Sequence, residues 1–281
     1  MSDVIDLDHL AIAAEHAFAN FARYYGELGG HPQHGGYSPG FHWSQVGFDS
    51  RSPDGRMKIE MLEPANVVEF DFLRRFLDRN GPGPHHLTFK VPDLAATLVE
   101  VRAKGYEPAS ENLDSPTWKE AFLHPRQCHG IVVQIAQLGP DADDGEDGAD
   151  DEEGLWPVDE PQIPPPPAPP ARLDHLVHLV ADTDAARGLF VDVLGGEPVA
   201  DGDSAEGRWS ELAWPGGGVI RLVEPTGAAK AWMGSRIGRL HHVAFTVADP
   251  ADVHGARAVG EGVWELAPEL NLGVRLRLTR R

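Results

Sequence analysis

Residues Gly83–Val91 read GPHHLTFKV, and Leu240–Val247 read LHHVAFTV. Each places two histidines ahead of apolar residues at every second position, the pattern of a half-buried strand. The same strand with the same polar head thus occurs twice. Working outward, four more phrases recur in the same order. LDHLAI at Leu7 answers LDHLVH at Leu173, ELGGHP answers VLGGEP, HWSQVGF answers RWSELAW, and KIEMLEP answers VIRLVEP. Five matches in register define a tandem duplication. The chain reads as a first module at 1–138, a linker at 139–171 and a second module at 172–281.

The linker explains the composition. It carries 11 of the 44 acidic residues and no Lys or Arg, and it ends in a proline tract. Such a segment cannot bury enough apolar surface to offset its ordering entropy, so it is expected to be disordered, with a polyproline II end. More than half of the net charge of −20 belongs to it. The remaining chain is mildly acidic, which argues against a nucleic-acid partner. Cys128 is the sole cysteine, which excludes intrachain disulfides and cysteine-rich zinc sites. No signal peptide or membrane-length apolar run is present, so a cytoplasmic protein with no membrane partner is expected.

The first module also repeats within itself. DHLAIA reads as a strand, AFANFARYYGEL as a helix stopped by Gly29 and Gly30, and WSQVGF and KIEML as strands. The pattern then restarts. HHLTFKV is a strand, DLAATLVEVRAKG a helix, and AFLHP and GIVVQIAQL are strands. Side chains alternate across a sheet. Leu10 with Ile12, Ile59 with Met61, Leu87 with Phe89, and Ile131 with Val133 therefore face the helices. His9, Glu60, His86 and Gln134 face the other way. Two such halves curved towards each other would bring these four groups to one point. His85 shares the parity of the packing face, which leaves His86 as the inward member of its pair. Ser44 and Gln45 both come within reach of that point, and the alternation does not decide between them. The other histidines of the module, His16, His31, His34, His42 and His129, read as solvated, and His124 as structural.

This arrangement resembles the vicinal oxygen chelate superfamily of glyoxalase I, methylmalonyl-CoA epimerase, extradiol dioxygenases and the fosfomycin and bleomycin resistance proteins. DHLAIA, LGG, IEMLEP, HHLTFKV, FLHP and GIVVQI most resemble its epimerase and glyoxalase branch. The resemblance implies an α+β fold of tandem βαβββ modules, each module two βαβββ units forming a curved mixed-sheet cup with helices outside. It also implies one divalent metal ion (Zn, Ni, Co, Mn or Fe) in the first module, held by His9, Glu60, His86 and Gln134. Gln134 departs from the usual glutamate, and an amide accepts no proton at neutral pH. That counts against a two-base epimerisation and against the carboxylate triad of the dioxygenases. In the second module His175 and His242 keep their places, but Arg221 and Arg277 replace Glu60 and Gln134. Two guanidinium groups repel a cation, so no metal is expected there.

Three functions follow from the resemblance. The first is a metal-dependent isomerase or lyase that stabilises an enolate or enediolate of a small vicinal-oxygen substrate, with Glu60 as its base. The second is a ferrous extradiol-type dioxygenase. The third is a non-catalytic small-molecule binding or resistance protein. The modules are expected to pair within the chain or in a homodimer.

Overall fold

The computed structural model describes residues 4–52, 55–140, 165–167 and 169–281. Most of the linker falls outside them, and with it the expectation of disorder. The fold is α+β, with four repeats of one strand, a helical segment and three further strands. In the first repeat, β1 (Asp6–Ala13) is followed by β2 (His31–Ser38), β3 (Phe41–Asp49) and β4 (Arg56–Pro64). Helix α1 (Phe72–Asn80) leads to β5 (Gly83–Lys90), α2 (Leu94–Ala103), β6 (Pro108–Asn112), β7 (Trp118–Leu123) and β8 (Val132–Leu138). The second module begins with β9 (Arg172–Val180), α3 (Thr183–Phe190), β10 (Glu197–Ser204), β11 (Gly207–Ala213) and β12 (Val219–Pro225). Helix α4 (Gly227–Met233) leads to β13 (Gly238–Val247), β14 (Arg257–Gly260), β15 (Val263–Leu266) and β16 (Leu276–Arg280).

Local chemistry accounts for the helix ends. The Asp93 carboxylate accepts from the Ala96 amide at 3.0 Å and starts α2. The Asp182 carboxylate does the same for Ala185 at 2.9 Å in α3. Each repeat mixes strand directions, because its first strand returns beside its last. β5 runs parallel to β8, β9 to β12 and β13 to β16, while the other neighbours within a repeat are antiparallel.

The described chain divides into two compact units, and neither is a module. One gathers residues from 1–9, 86–144 and 175–241. In it Phe89 of the first module packs against Phe190 and Trp214 of the second, with ring centroids 6.3 and 5.3 Å apart. Gly130 also meets Gly238 there, so closely that a Cβ on Gly238 would stand 1.8 Å from the His129 carbonyl oxygen. The other unit gathers residues from 10–85, 145–174 and 242–281. There Phe48 meets Phe245 at 5.0 Å, and the Asn271 amide donates to the Tyr24 hydroxyl at 3.1 Å. Gly273 lies against the Pro82 carbonyl just as tightly.

The structure departs from the sequence reading in four places. Residues 17–27 form a 3-10 turn followed by a π-helical turn instead of one α-helix. Tyr24 and Tyr25, adjacent in the wider turn, are both buried. His31 and His34, read only as solvated, lie on a strand, β2, which pairs with β3. β6 was not anticipated. Helix α1 was not anticipated; Leu73 and Leu77 are its buried residues, one turn apart. In the last repeat the three strands remain, and the helix has shrunk to a turn at Pro250–Asp252. Among the described residues no helix is long and apolar enough to cross a membrane.

Candidate metal centre

β1, β4 and β5 each contribute one buried group. His9, Glu60 and His86 are 2%, 8% and 6% exposed. One ligand atom from each lies within 4.8 Å of the others, and among the described residues no other His, Cys, Asp or Glu group of three or more is so close. The imidazole rings of His9 and His86 stand edge to face, 5.6 Å apart.

Each group is oriented by neighbours. The Asp8 carboxylate sits 2.7 Å from His9 Nδ1 and is tied by its other oxygen to Lys90 Nζ at 2.9 Å. A carboxylate on one ring nitrogen orients the ring of a metal-binding histidine; here the other nitrogen, Nε2, meets the Thr88 hydroxyl at 2.8 Å, a contact that a bound cation would replace. Gln45 is opposite Glu60 in the β3–β4 register and donates from Nε2 to Glu60 Oε1 at 3.0 Å. Ser44 instead turns to the Tyr25 hydroxyl. Gln45 is therefore the one beside the site.

Gln134 lies on β8 and is joined to His9 through Thr88. The fully buried Thr88 hydroxyl is 2.8 Å from His9 Nε2 and 2.5 Å from Gln134 Oε1. The sequence reading missed a further group: Gln134 Nε2 donates to Glu120 Oε2 at 2.6 Å, and the Trp118 indole donates to the same oxygen at 3.1 Å. The signal was there, because in WKEAFL the buried Ala121 and Leu123 leave Trp118, Glu120 and Phe122 for the opposite face. Phe122 borders His86 at 6.2 Å.

His85 is not part of the cluster. Its ring packs on Phe72 and Phe76 of α1, and burial pushes its pKa down to about 4, opposed by the charge of Glu60. Helix α1 covers Ala11, Ala13 and Leu62, which share strand parity with His9 and Glu60. The unanticipated helix therefore packs on the same face of β1 and β4 that carries His9 and Glu60, two residues further along each strand. His42 lies on β3 with its ring against Tyr37, and His124 accepts from the Arg126 amide.

At the corresponding positions of the second module the two arginines are neutralised in place. Arg221 donates to Glu211 Oε2 at 2.8 Å and stacks over Trp209 at 4.2 Å. Glu211 opposite Arg221 repeats the register of Gln45 opposite Glu60. Arg277 lies 3.6 Å from Glu265.

The chain matches two models of the Glyoxalase/Bleomycin resistance protein/Dioxygenase superfamily, over residues 8–122 and 172–259. Together they span well over half of it, and the chain belongs to that superfamily. Among solved structures it is similar to a methylmalonyl-CoA epimerase in complex with methylmalonyl-CoA and NH4+ (24% identity, 49% of this chain and 96% of that one, TM-score 0.43). It is similar to the methylmalonyl-CoA epimerase of Mycobacterium tuberculosis (21%, 50% and 93%, TM-score 0.41). A triple mutant of 4-hydroxymandelate synthase from Streptomyces coelicolor aligns over the whole chain (12%, 100% and 93%, TM-score 0.63), a likeness of fold. No curated protein matches the chain in sequence.

Proposed function

We propose that the protein is a divalent-metal-dependent isomerase or lyase that acts on a small substrate with two neighbouring oxygens. One observation carries this reading: two imidazoles and a carboxylate, all buried, bring their ligand atoms within 4.8 Å of one another. Nitrogen and oxygen donors in that mixture suit zinc, nickel, cobalt, manganese or ferrous iron. His9, Glu60 and His86 would hold the ion. Gln134 would be the fourth donor: its oxygen accepts from the Thr88 hydroxyl that also meets His9, which keeps it beside that ligand. When bound, the ion supplies Lewis-acid stabilisation of an enolate or enediolate.

Glu60 then accepts the proton from the adjacent carbon. Glu60 would be loosely held by the ion, or displaced from it when substrate binds, and Gln45 orients its carboxylate by donating to Oε1 at 3.0 Å. Glu60 is 8% exposed, so little water competes for that proton. The second module is read as metal-free, since the Arg221–Glu211 and Arg277–Glu265 pairs fill the corresponding positions.

Two histidines and one carboxylate also describe the ligand set of ferrous oxygenases, which favours the dioxygenase as the second reading. The test is metal analysis of the purified chain, then deuterium incorporation into dihydroxyacetone and an acyl-CoA thioester in D2O. Metal-dependent exchange without oxygen uptake supports enolisation. Iron with oxygen-dependent loss of a catechol supports the second reading. A chain that binds no divalent cation is neither, and the binding-protein reading takes over.

A further inference from the structure

An amide ligand has a difficulty that a carboxylate lacks. Only its oxygen binds a cation, so its orientation has to be fixed from outside. Thr88 cannot fix it, because a hydroxyl both donates and accepts and so fits either end of the amide. Glu120 can, because a carboxylate only accepts. The group 2.6 Å from Glu120 Oε2 therefore has to be the Gln134 NH2, and Oε1 points to the Thr88 and His9 side. Trp118 holds that same Glu120 oxygen by its indole N–H at 3.1 Å, so the acceptor is itself anchored.

We propose that Glu120 is a positioning residue that sets the polarity of the Gln134 amide, and so makes glutamine a competent oxygen donor to a divalent cation. The proposal rests on the metal reading above. It explains how this chain accommodates an amide where its superfamily usually has a carboxylate: the negative charge sits one residue further out, on β7, and acts through the amide.

The test is a double-mutant cycle on the full chain, read by calorimetric titration with Zn2+ and with Mn2+. Glu120→Gln lets the amide turn either way and is expected to weaken cation affinity about 10-fold or more, the usual cost of losing an outer-shell partner. In the Gln134→Glu background two carboxylates face each other, so Glu120→Gln is expected to strengthen affinity instead. That reversal of sign is something a merely structural glutamate would not produce. Equal losses in both backgrounds, or no change in the first, overturn the proposal.

The orientation is read without metal from the Gln134 side-chain NH2 resonance, assigned by its disappearance in Gln134→Glu. Its hydrogen-bonded proton is expected downfield and should move upfield in Glu120→Gln. A resonance unmoved by that substitution overturns the proposal whatever the titrations show. The expected shift in a chain that binds no cation overturns the metal reading and leaves the Glu120–Gln134 contact standing.

Discussion

Asp8→Asn tests whether the His9 ring is held for a cation. Asp8 is 8% exposed and gives one oxygen to His9 Nδ1 at 2.7 Å and the other to Lys90 at 2.9 Å. Asparagine has the same shape but only one acceptor oxygen. It can serve His9 or Lys90, not both, and the end left over brings N–H groups towards a donor. Losing the outer-shell partner of a histidine ligand costs about 10–100-fold in metal affinity. That corresponds to about 1.4–2.8 kcal/mol. Both contacts are short and the group is buried, so little solvent is at hand to compensate, and at least about 10-fold is expected. The assay is calorimetric titration with Zn2+ or Mn2+, with circular dichroism to check that the variant is folded. Adding Lys90→Met removes the competitor for the amide oxygen and should recover part of the loss. Affinity within twofold of the parent in folded Asp8→Asn would refute the reasoning, because Asp8 would then have no part in presenting His9.

Three further outcomes are expected. Glu60→Gln should retain bound metal, measured by plasma emission, and lose solvent-deuterium exchange; equal exchange in the variant removes Glu60 as the base. Burial pushes the pKa of His178 down to about 4, below its ordinary 6.5. Between those values the unfolded chain binds a proton that the folded chain does not. Stability therefore falls as the pH is lowered from 6.5 to 4, by up to about 1.4 kcal/mol per unit from this residue alone. His178→Gln, which can still donate to the His129 carbonyl, should flatten that slope in urea titrations between pH 6.5 and 4.5. Gly238→Ala sets a methyl group against backbone oxygens at 1.8 and 2.8 Å, which no rotamer relieves. It should destabilise by about 3 kcal/mol, the upper end of ordinary overpacking, whereas Gly260→Ala, with nothing within 4 Å, should change thermal unfolding little.

The parts legible in the sequence were those whose geometry repeats along the chain. β5 and β8 alternate apolar with polar residues, so the faces carrying His86 and Gln134 followed from period two. His9 and Glu60 followed in the same way, and the structure brings both to His86. β2 was illegible because HPQHGGYS has no alternation. It lies at an edge with much of its length exposed, so packing puts little constraint on its side chains. The π turn was hidden because Phe18, Phe21 and Tyr25 suit an α-helix equally well; the two differ in backbone hydrogen bonds such as Leu28 N–H to the Arg23 carbonyl. Thr88 was placed on the correct face, but its role depends on side-chain reach between β1, β5 and β8, which strand parity does not encode. Glu120 was missed because a polar residue on a strand of mixed exposure looks like solvated surface until its partner is known.

The unequal fates of the two copies follow from how each packing unit is assembled. Each of the two packing units among the described residues takes residues from both copies, with Phe89 against Trp214 in one and Phe48 against Phe245 in the other. Deleting the C-terminal copy would strip half the packing from both. A copy bound in this way is needed for its shape, whatever its site residues do. Arg221 and Arg277 stand at the positions of Glu60 and Gln134 while the strands that carry them keep their pairing.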